Sequence, residues 1–269
     1  MFVKEDIMKY GFIGCGNMGG AIAKALRRQT SSIMIADPAP AARVLAEGLD
    51  AVYTDNDTLA SSCDRIFLAV KPHMMKGMLA PLQGILAEKK PLLITMAAGL
   101  KIETIREFVG CDLPIIRIMP NTPVALGKGM IQYCRNELVT DDMLASWLSD
   151  MQGCGRLDEL EERLIDAASA LSGAGPAYMY VFLEALADGA VACGIPRAKA
   201  YEYAAMTMAG AAEMVLATGQ HPGALKDAVC SPGGSTIVGI RALEKHGFRS
   251  AAMECVIKSY EKNTELGKQ

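Results

Sequence analysis

A chain of 269 residues exceeds the usual size of one domain and can bury a sizeable core. Its 27 Lys and Arg against 30 Asp and Glu leave a formal net charge of −3, which advertises no basic surface for nucleic acid. The longest uncharged apolar stretch, residues 167–183, is interrupted by Ser, Gly and Pro and flanked by Asp166 and Glu184, which argues against a membrane span.

Residues 1–8 contain Lys4, Glu5 and Asp6 and no apolar signal region. No secretion signal is expected, the expected compartment is the cytoplasm, and translation starts at either Met1 or Met8. Tyr10 to Ile13 then read as a short apolar strand leading into Gly14-Cys15-Gly16-Asn17-Met18-Gly19 and an amphipathic run over 21–28. Strand, glycine turn and helix in that order form a dinucleotide-binding pattern. Gly14 allows the tight turn, Gly16 lets backbone approach a pyrophosphate, and Gly19 lets the helix pack on the strand. An ordinary glycine-rich turn is the plain alternative. Ile33 to Ala36 supply a second strand, ending at Asp37.

Further short, apolar, partly β-branched runs follow at 65–70, 92–96, 115–119 and 130–133, alternating with helical segments. This alternation predicts a parallel sheet. Ligands of such sheets bind where strands end, so the turns Ala69-Val70-Lys71-Pro72 and Met96-Ala97-Ala98-Gly99 are expected to line a cofactor cleft. Lys71 is a candidate for a phosphate or ribose, although a Lys-Pro step after a strand is also a plain turn. Asn121-Thr122-Pro123 carries the same ambiguity.

Beyond residue 160 the pattern becomes alanine-rich and helix-forming, with no further convincing strand. The chain therefore divides into a sheet domain over 1–160 and a helical domain over 161–269. A break at Ser172-Gly173-Ala174-Gly175-Pro176 starts a helix reaching Ala192, and a second runs from Arg197 to Thr218, ended by Gly219. The small residues Ala185, Ala187, Gly189 and Ala190 suit either a subunit interface or an internal bundle core. Next come Ser231-Pro232-Gly233-Gly234-Ser235-Thr236, which join a tight turn to a helix start that Ser235 or Thr236 can cap. Free N–H groups in that first turn suit a carboxylate, and a plain helix-to-helix turn has the same composition.

The eight cysteines, at 15, 63, 111, 134, 154, 193, 230 and 255, form no CxxC pair and read as small buried residues of a reducing cytosol. His73, His221 and His246 have no partner at ligand spacing. No metal site is expected, and each reads as a surface or helix-end residue.

Taken together, the chain resembles the pyrroline-5-carboxylate reductases over nearly its whole length. The matching segments are residues 11–20 (GFIGCGNMGG), 67–72 (FLAVKP), 119–123 (MPNTP), 171–178 (LSGAGPAY), 184–196 (EALADGAVACGIP) and 231–244 (SPGGSTIVGIRALE). The resemblance implies a Rossmann-type α/β domain followed by an all-α domain that dimerises, with dimers built into a larger ring. It implies NADPH or NADH as cofactor and 1-pyrroline-5-carboxylate as substrate, reduced at its C=N bond to L-proline in the last step of proline biosynthesis. Carried over by position, the cofactor contacts Ile13, Gly14, Cys15, Gly16, Asn17 and Met18, then Asn56, then Ala69, Val70, Lys71 and Pro72, then Met96, Ala97 and Ala98. The substrate meets Ser231, Gly233, Gly234, Ser235 and Thr236, and the Thr236 hydroxyl reaches the ring nitrogen as the catalytic group.

Asp37 departs from the pattern of an NADPH enzyme. An acid at the end of the second strand suits the paired ribose hydroxyls of NADH and repels a 2′-phosphate, whereas the family commonly uses NADPH with Ser, Asn or Arg near this turn. Arg43 lies six positions on and is a candidate to neutralise a phosphate, and Asp37-Pro38 equally reads as a helix-start signal. Two rivals to the reductase reading are a β-hydroxyacid dehydrogenase and a non-catalytic nucleotide-sensing protein. The first looks for a catalytic Lys after its glycine-rich segment, where this chain has Tyr178, Tyr180 and Phe182 and no Lys until Lys199. The complete 231–236 loop argues against the second.

Overall fold

The computed structural model describes residues 8–30 and 32–266. The segment ahead of Met8, on which the expected lack of a signal and the choice of start residue turn, lies outside the described residues. Packing separates two compact units: the chain up to Ala174 together with the chain from Ser259 onward, and Gly175–Lys258.

The first unit is built on an eight-stranded sheet: β1 (Tyr10–Ile13), β2 (Ile33–Ala36), β3 (Val52–Tyr53), β4 (Arg65–Leu68), β5 (Leu92–Thr95), β6 (Ile115–Met119), β7 (Gly129–Arg135) and β8 (Gly155–Glu159), in the spatial order β3-β2-β1-β4-β5-β6-β7-β8. β1, β4, β5 and β6 are buried at every residue, as expected of strands covered on both faces. Tyr10, Phe12 and Phe67 enter one apolar cluster with Ile22, Leu26 and Trp147, while Ile13, Ile66 and Leu68 enter the opposite one with Leu59 and Leu93. Phe12 and Phe67 stack with centroids 4.7 Å apart.

Every pairing from β3 across to β6 is parallel, but β7 runs antiparallel to β6. A wholly parallel sheet was the expectation, and its failure here has a simple cause. Only residues 120–128 join these two strands, too few for a crossover that would return the chain to the same end. Helix α7 (Asp141–Met151), the seventh of the α-helices in chain order, supplies such a crossover from β7 to its parallel partner β8. The strands β3 and β8 were not expected. β3 has two exposed residues, and β8, Gly155-Arg156-Leu157-Asp158-Glu159, has one large apolar side chain and is half-exposed at the sheet edge.

Two buried guanidinium groups tie helices to the sheet. Arg65 donates from Nη1 to the Tyr10 hydroxyl and to Asp150, each at 2.6 Å, and from Nη2 to Ser146 at 2.6 Å, which anchors α7 to β1 and β4. Arg117, fully buried in the middle of β6, pairs with Glu162 at 3.4 Å and Asp166 at 2.5 Å on α8 (Glu162–Ser172). Glu162 also accepts the Ile102 N–H at 2.7 Å, at the start of α6 (Ile102–Val109). Asn121 donates to the Ser172 carbonyl at 3.0 Å and accepts the Met130 N–H at 2.9 Å, and the Ser172 hydroxyl bonds Gln132 at 2.9 Å. These contacts hold α8 on β6 and β7, so the packing division falls after α8, whereas residue 160 marks where strands give way to helices.

The second unit consists of α9 (Gly175–Ala192), α10 (Arg197–Thr218), α11 (Pro222–Ala228), α12 (Ser235–Lys245) and the first part of α13 (Phe248–Leu266). Gly219 ends α10 in the left-handed conformation with its N–H on the Val215 carbonyl. Within this unit only Ala187, Ala200 and Ala204 are buried, while Tyr180, Val181, Met206 and Leu216 are each more than 60% exposed. A single copy of these helices has no large-side-chain core of its own.

Removing the cation from the Arg117 cluster leaves two carboxylates against a buried site. Arg117→Leu is expected to lower stability by about 3 kcal/mol, the lower end for a broken buried pair because both acids keep some exposure. The check is the urea midpoint of the variant beside the wild type; an unchanged midpoint would show that the cluster contributes nothing to stability.

Candidate active site

The glycine turn sits at the carboxyl ends of the central strands, where the chain order reverses from β2 on one side of β1 to β4 on the other. The Gly14 N–H bonds the Ala36 carbonyl and the Ala69 N–H bonds the Ile13 carbonyl, each at 2.9 Å. Gly14 has φ +84°, and a Cβ there would lie 2.8 Å from the Ala69 carbonyl carbon. At Gly19 a Cβ would lie 2.8 Å from the Gly14 carbonyl oxygen, so both positions require the close approach that only glycine allows. Gly16 differs. It is exposed, it caps α1 (Asn17–Leu26) without a side-chain hydrogen bond, and a Cβ there would meet no atom within 4 Å. The space in front of it and the unpaired N–H groups of the first turn fit a pyrophosphate.

Around this ledge the first unit gathers the other expected cofactor positions. Ile13 and Cys15 are buried, Asn17 is exposed and Met18 half-buried. Ala69 and Val70, half-buried, follow β4; Lys71 is exposed, starts the short 3-10 turn that Pro72 enters, and has no ion-pair partner among the described residues. Met96 and Ala98, half-buried, flank buried Ala97 after β5. Asn56 is the first residue of α3 (Asn56–Ser62), whose N-cap Asp55 accepts the Thr58 N–H at 2.8 Å.

Asp37 is held in place from two sides. Its Oδ2 accepts the Cys15 N–H at 2.6 Å and its Oδ1 accepts the Ala39 N–H at 2.8 Å, while the Tyr53 hydroxyl donates to its backbone carbonyl at 2.6 Å. Helix α2 (Pro40–Gly48) is capped by Ala39, so Asp37 closes a turn before the helix. Arg43 on α2 lies 5.8 Å from the centre of the Tyr53 ring and 3.7 Å from Glu47. Tyr53 is the contributor that sequence reasoning missed; its only signal was an aromatic residue on a two-residue strand.

The Cys15 thiol is not a nucleophile in waiting. Burial, with the Asp37 carboxylate adding to it against Lys24, pushes it up to about 12. Cys63, Cys134 and Cys154 are likewise buried and pushed up to about 12, mainly by desolvation, whereas Cys193 is exposed, against the expectation of burial. The three histidines are exposed, and His221 is a helix cap, its Nδ1 accepting the Gly223 N–H at 3.0 Å.

In the second unit, residues 231–236 link α11 to α12. Gly233 has φ +70°, and the Gly234 N–H bonds the Ser231 carbonyl at 3.0 Å, closing the turn. Neither Ser235 nor Thr236 caps the helix as expected. Gly234 is the N-cap, without a side-chain hydrogen bond, and Ser235 and Thr236 are the first two helical residues. The Gly234 N–H is therefore already used. The donors left facing out are the N–H groups of Ser235 and Thr236 together with hydroxyls that have no protein partner among the described residues. Apart from half-buried Gly234, the loop and the helix start are exposed in the single chain. The result is an uncapped helix N-terminus lined with small polar groups, suited to a compact anion beside a hydrogen-bond acceptor.

Comparison with known proteins agrees with both halves. Residues 9–99 match the family described as NADP oxidoreductase, coenzyme F420-dependent, and residues 162–266 match pyrroline-5-carboxylate reductase dimerisation. The chain is 42% identical over 267 residues to the pyrroline-5-carboxylate reductase of Escherichia coli (strain K12), covering 97% of this chain and 98% of the relative. It is 38% identical over 270 residues to that of Pisum sativum, covering 98% of each. Among solved structures, the Plasmodium falciparum pyrroline carboxylate reductase with NADP bound superposes with a TM-score of 0.88 at 34% identity, covering 98% of this chain and 99% of that one.

The geometry separates two glycine substitutions. Gly16→Val meets open space and is expected to fold with near wild-type stability but to weaken dinucleotide binding at least about tenfold, because its side chain occupies the pyrophosphate space. Gly14→Val forces a positive φ and a backbone clash, and is expected to lower the melting temperature. Calorimetric Kd beside Tm checks both; Gly16→Val binding as tightly as wild type would remove the pyrophosphate from this ledge.

Proposed function

As a member of the pyrroline-5-carboxylate reductase family, the chain is an oxidoreductase that reduces the C=N bond of 1-pyrroline-5-carboxylate with NAD(P)H to give proline, and we propose which of its residues carry that reaction. The dinucleotide is assigned to Ile13, Gly14, Cys15, Gly16, Asn17, Met18, Asp37, Asn56, the turn Ala69-Val70-Lys71-Pro72 and Met96-Ala97-Ala98. The substrate is assigned to Ser231, Gly233, Gly234, Ser235 and Thr236. The observation that carries the second assignment is the uncapped start of α12, whose unpaired N–H groups and free hydroxyls match a ring bearing both a carboxylate and an imine nitrogen.

When bound, the reduced dinucleotide supplies the hydride. The chain has the tasks of binding, orienting and excluding water. The N–H groups of Ser235 and Thr236 hold the substrate carboxylate at the positive end of α12, while Gly233 and Gly234 keep side chains out of its way. The Thr236 hydroxyl oxygen accepts the N–H of the protonated ring nitrogen and holds the C=N carbon in place for the hydride. A neutral alcohol is a poor acid, and a cyclic imine takes its proton from water before binding, so no strong acid is required of the protein. The exposed histidines and the high thiol of Cys15 accord with that division of labour.

We assign residues 161–269 to substrate binding and dimerisation, and 1–160 to the dinucleotide. The exposed apolar side chains of α9 and α10 favour a homo-oligomer, a homodimer through these helices that assembles into a larger ring. No described helix is long and apolar enough to cross a membrane. The reading takes no nucleic acid as partner and places the enzyme in the cytoplasm, where its cysteines stay reduced.

Thr236→Ala and Thr236→Ser test the assignment together. Losing this one hydrogen bond is expected to lower kcat/KM by roughly 10- to 100-fold in Thr236→Ala, while Thr236→Ser keeps most activity. The residual rate of Thr236→Ala falls as pH rises, since deprotonation of the imine removes the reactive iminium. A Thr236→Ala enzyme that binds both ligands normally and is inactive at every pH would make the hydroxyl an indispensable acid and overturn the reading.

A further inference from the structure

We propose that Asp37 sets the coenzyme preference of this chain toward NADH, acting as a fixed acceptor for the two hydroxyls of the adenosine ribose. The proposal rests on the dinucleotide assignment above and adds to it a direction of selectivity.

An acid at the end of the second strand is a weak signal when its side chain is free to turn away. Here it is not free. One carboxylate oxygen accepts the Cys15 N–H and the other accepts the Ala39 N–H, so rotation would strip an acceptor from the glycine turn and from the entry to α2 together. The Tyr53 hydroxyl holds the backbone of the same residue. Each oxygen accepts one protein bond and keeps lone-pair capacity for a second. Two such oxygens, oriented by the turn that faces the pyrophosphate, match a vicinal diol. A 2′-phosphate would instead bring a second negative group against a carboxylate that cannot withdraw.

The nearby cation of α2 does not cancel this charge. The Arg43 guanidinium lies over the Tyr53 ring and beside Glu47, with no hydrogen bond to Asp37. The side chain is 70% exposed, so it is long enough and free enough to be tested as the rival determinant.

The experiment uses the full chain and two ligands that lack the nicotinamide end, ADP-ribose and its 2′-phosphate, with Kd measured by calorimetry. The wild type is expected to bind ADP-ribose at least about tenfold more tightly than the 2′-phosphate. Asp37→Ser is expected to shrink that ratio about tenfold or more, and Arg43→Ala to leave it within about twofold. Equal or tighter binding of the 2′-phosphate by the wild type would overturn the proposal. So would an unmoved ratio in a folded Asp37→Ser protein, or a specific loss of about tenfold in 2′-phosphate affinity in Arg43→Ala. If loss of the Cys15 tether prevents Asp37→Ser from folding, the wild-type ratio and Arg43→Ala still decide. Neither ligand reports on the imine, so a failure here leaves the substrate assignment standing, and a failure of that assignment leaves this measurement interpretable.

Discussion

The contact between the first glycine turn and the residue that follows β4 is the constraint on which the dinucleotide half depends. A side chain at Gly14 would run into the Ala69 backbone and the Val70 side chain, and one at Gly19 into the Gly14 carbonyl oxygen and the Ala69 methyl. That approach places the start of α1 at the ends of β1 and β4, where unpaired N–H groups and the helix dipole are available together to one anion. The buried strands supply the stiffness. β1 and β4 are enclosed on both faces, stacked through Phe12 and Phe67, and anchored at their other ends by the Arg65 network with Tyr10, Asp150 and Ser146.

Helices α1 and α12 each begin on a glycine cap without a side-chain hydrogen bond, Gly16 and Gly234. Ser, Thr, Asp or Asn at those positions would satisfy an orphan N–H internally and remove a donor from any ligand. Two other helices of the chain do use such caps: Asp55 caps α3 and Thr140 caps α7. Glycine at these two helix starts is consistent with a pyrophosphate at one and a carboxylate at the other.

Most elements were legible because their signals are local. Tyr10–Ile13, Ile33–Ala36 and Ile115–Met119 are short, apolar and bounded by turn residues, and α9 and α10 run between the breaks that glycine and proline impose. What escaped depends on distant partners. β8 is a strand because β7 offers it an edge, and its own composition argues otherwise. The direction of β7 is set by the length of a loop. Asp37 was legible as an acid after a strand, but its tether comes from main-chain donors at Cys15 and Ala39, which leave no mark on side-chain patterning. The same blindness explains the misplaced cap at Ser235 and Thr236, since the conformation of Gly234, the last residue of the turn, decides which residue is the first in the helix.

The central claim is imine reduction by hydride transfer to the carbon of the C=N bond. It is tested most directly by incubating the full chain with 1-pyrroline-5-carboxylate and NADH deuterated at the transferring position, then locating the label in the product by mass spectrometry and NMR. The account predicts L-proline with one deuterium on the ring carbon that had been doubly bonded to nitrogen. Absence of proline while the dinucleotide binds normally, or proline with no label at that carbon, would contradict it.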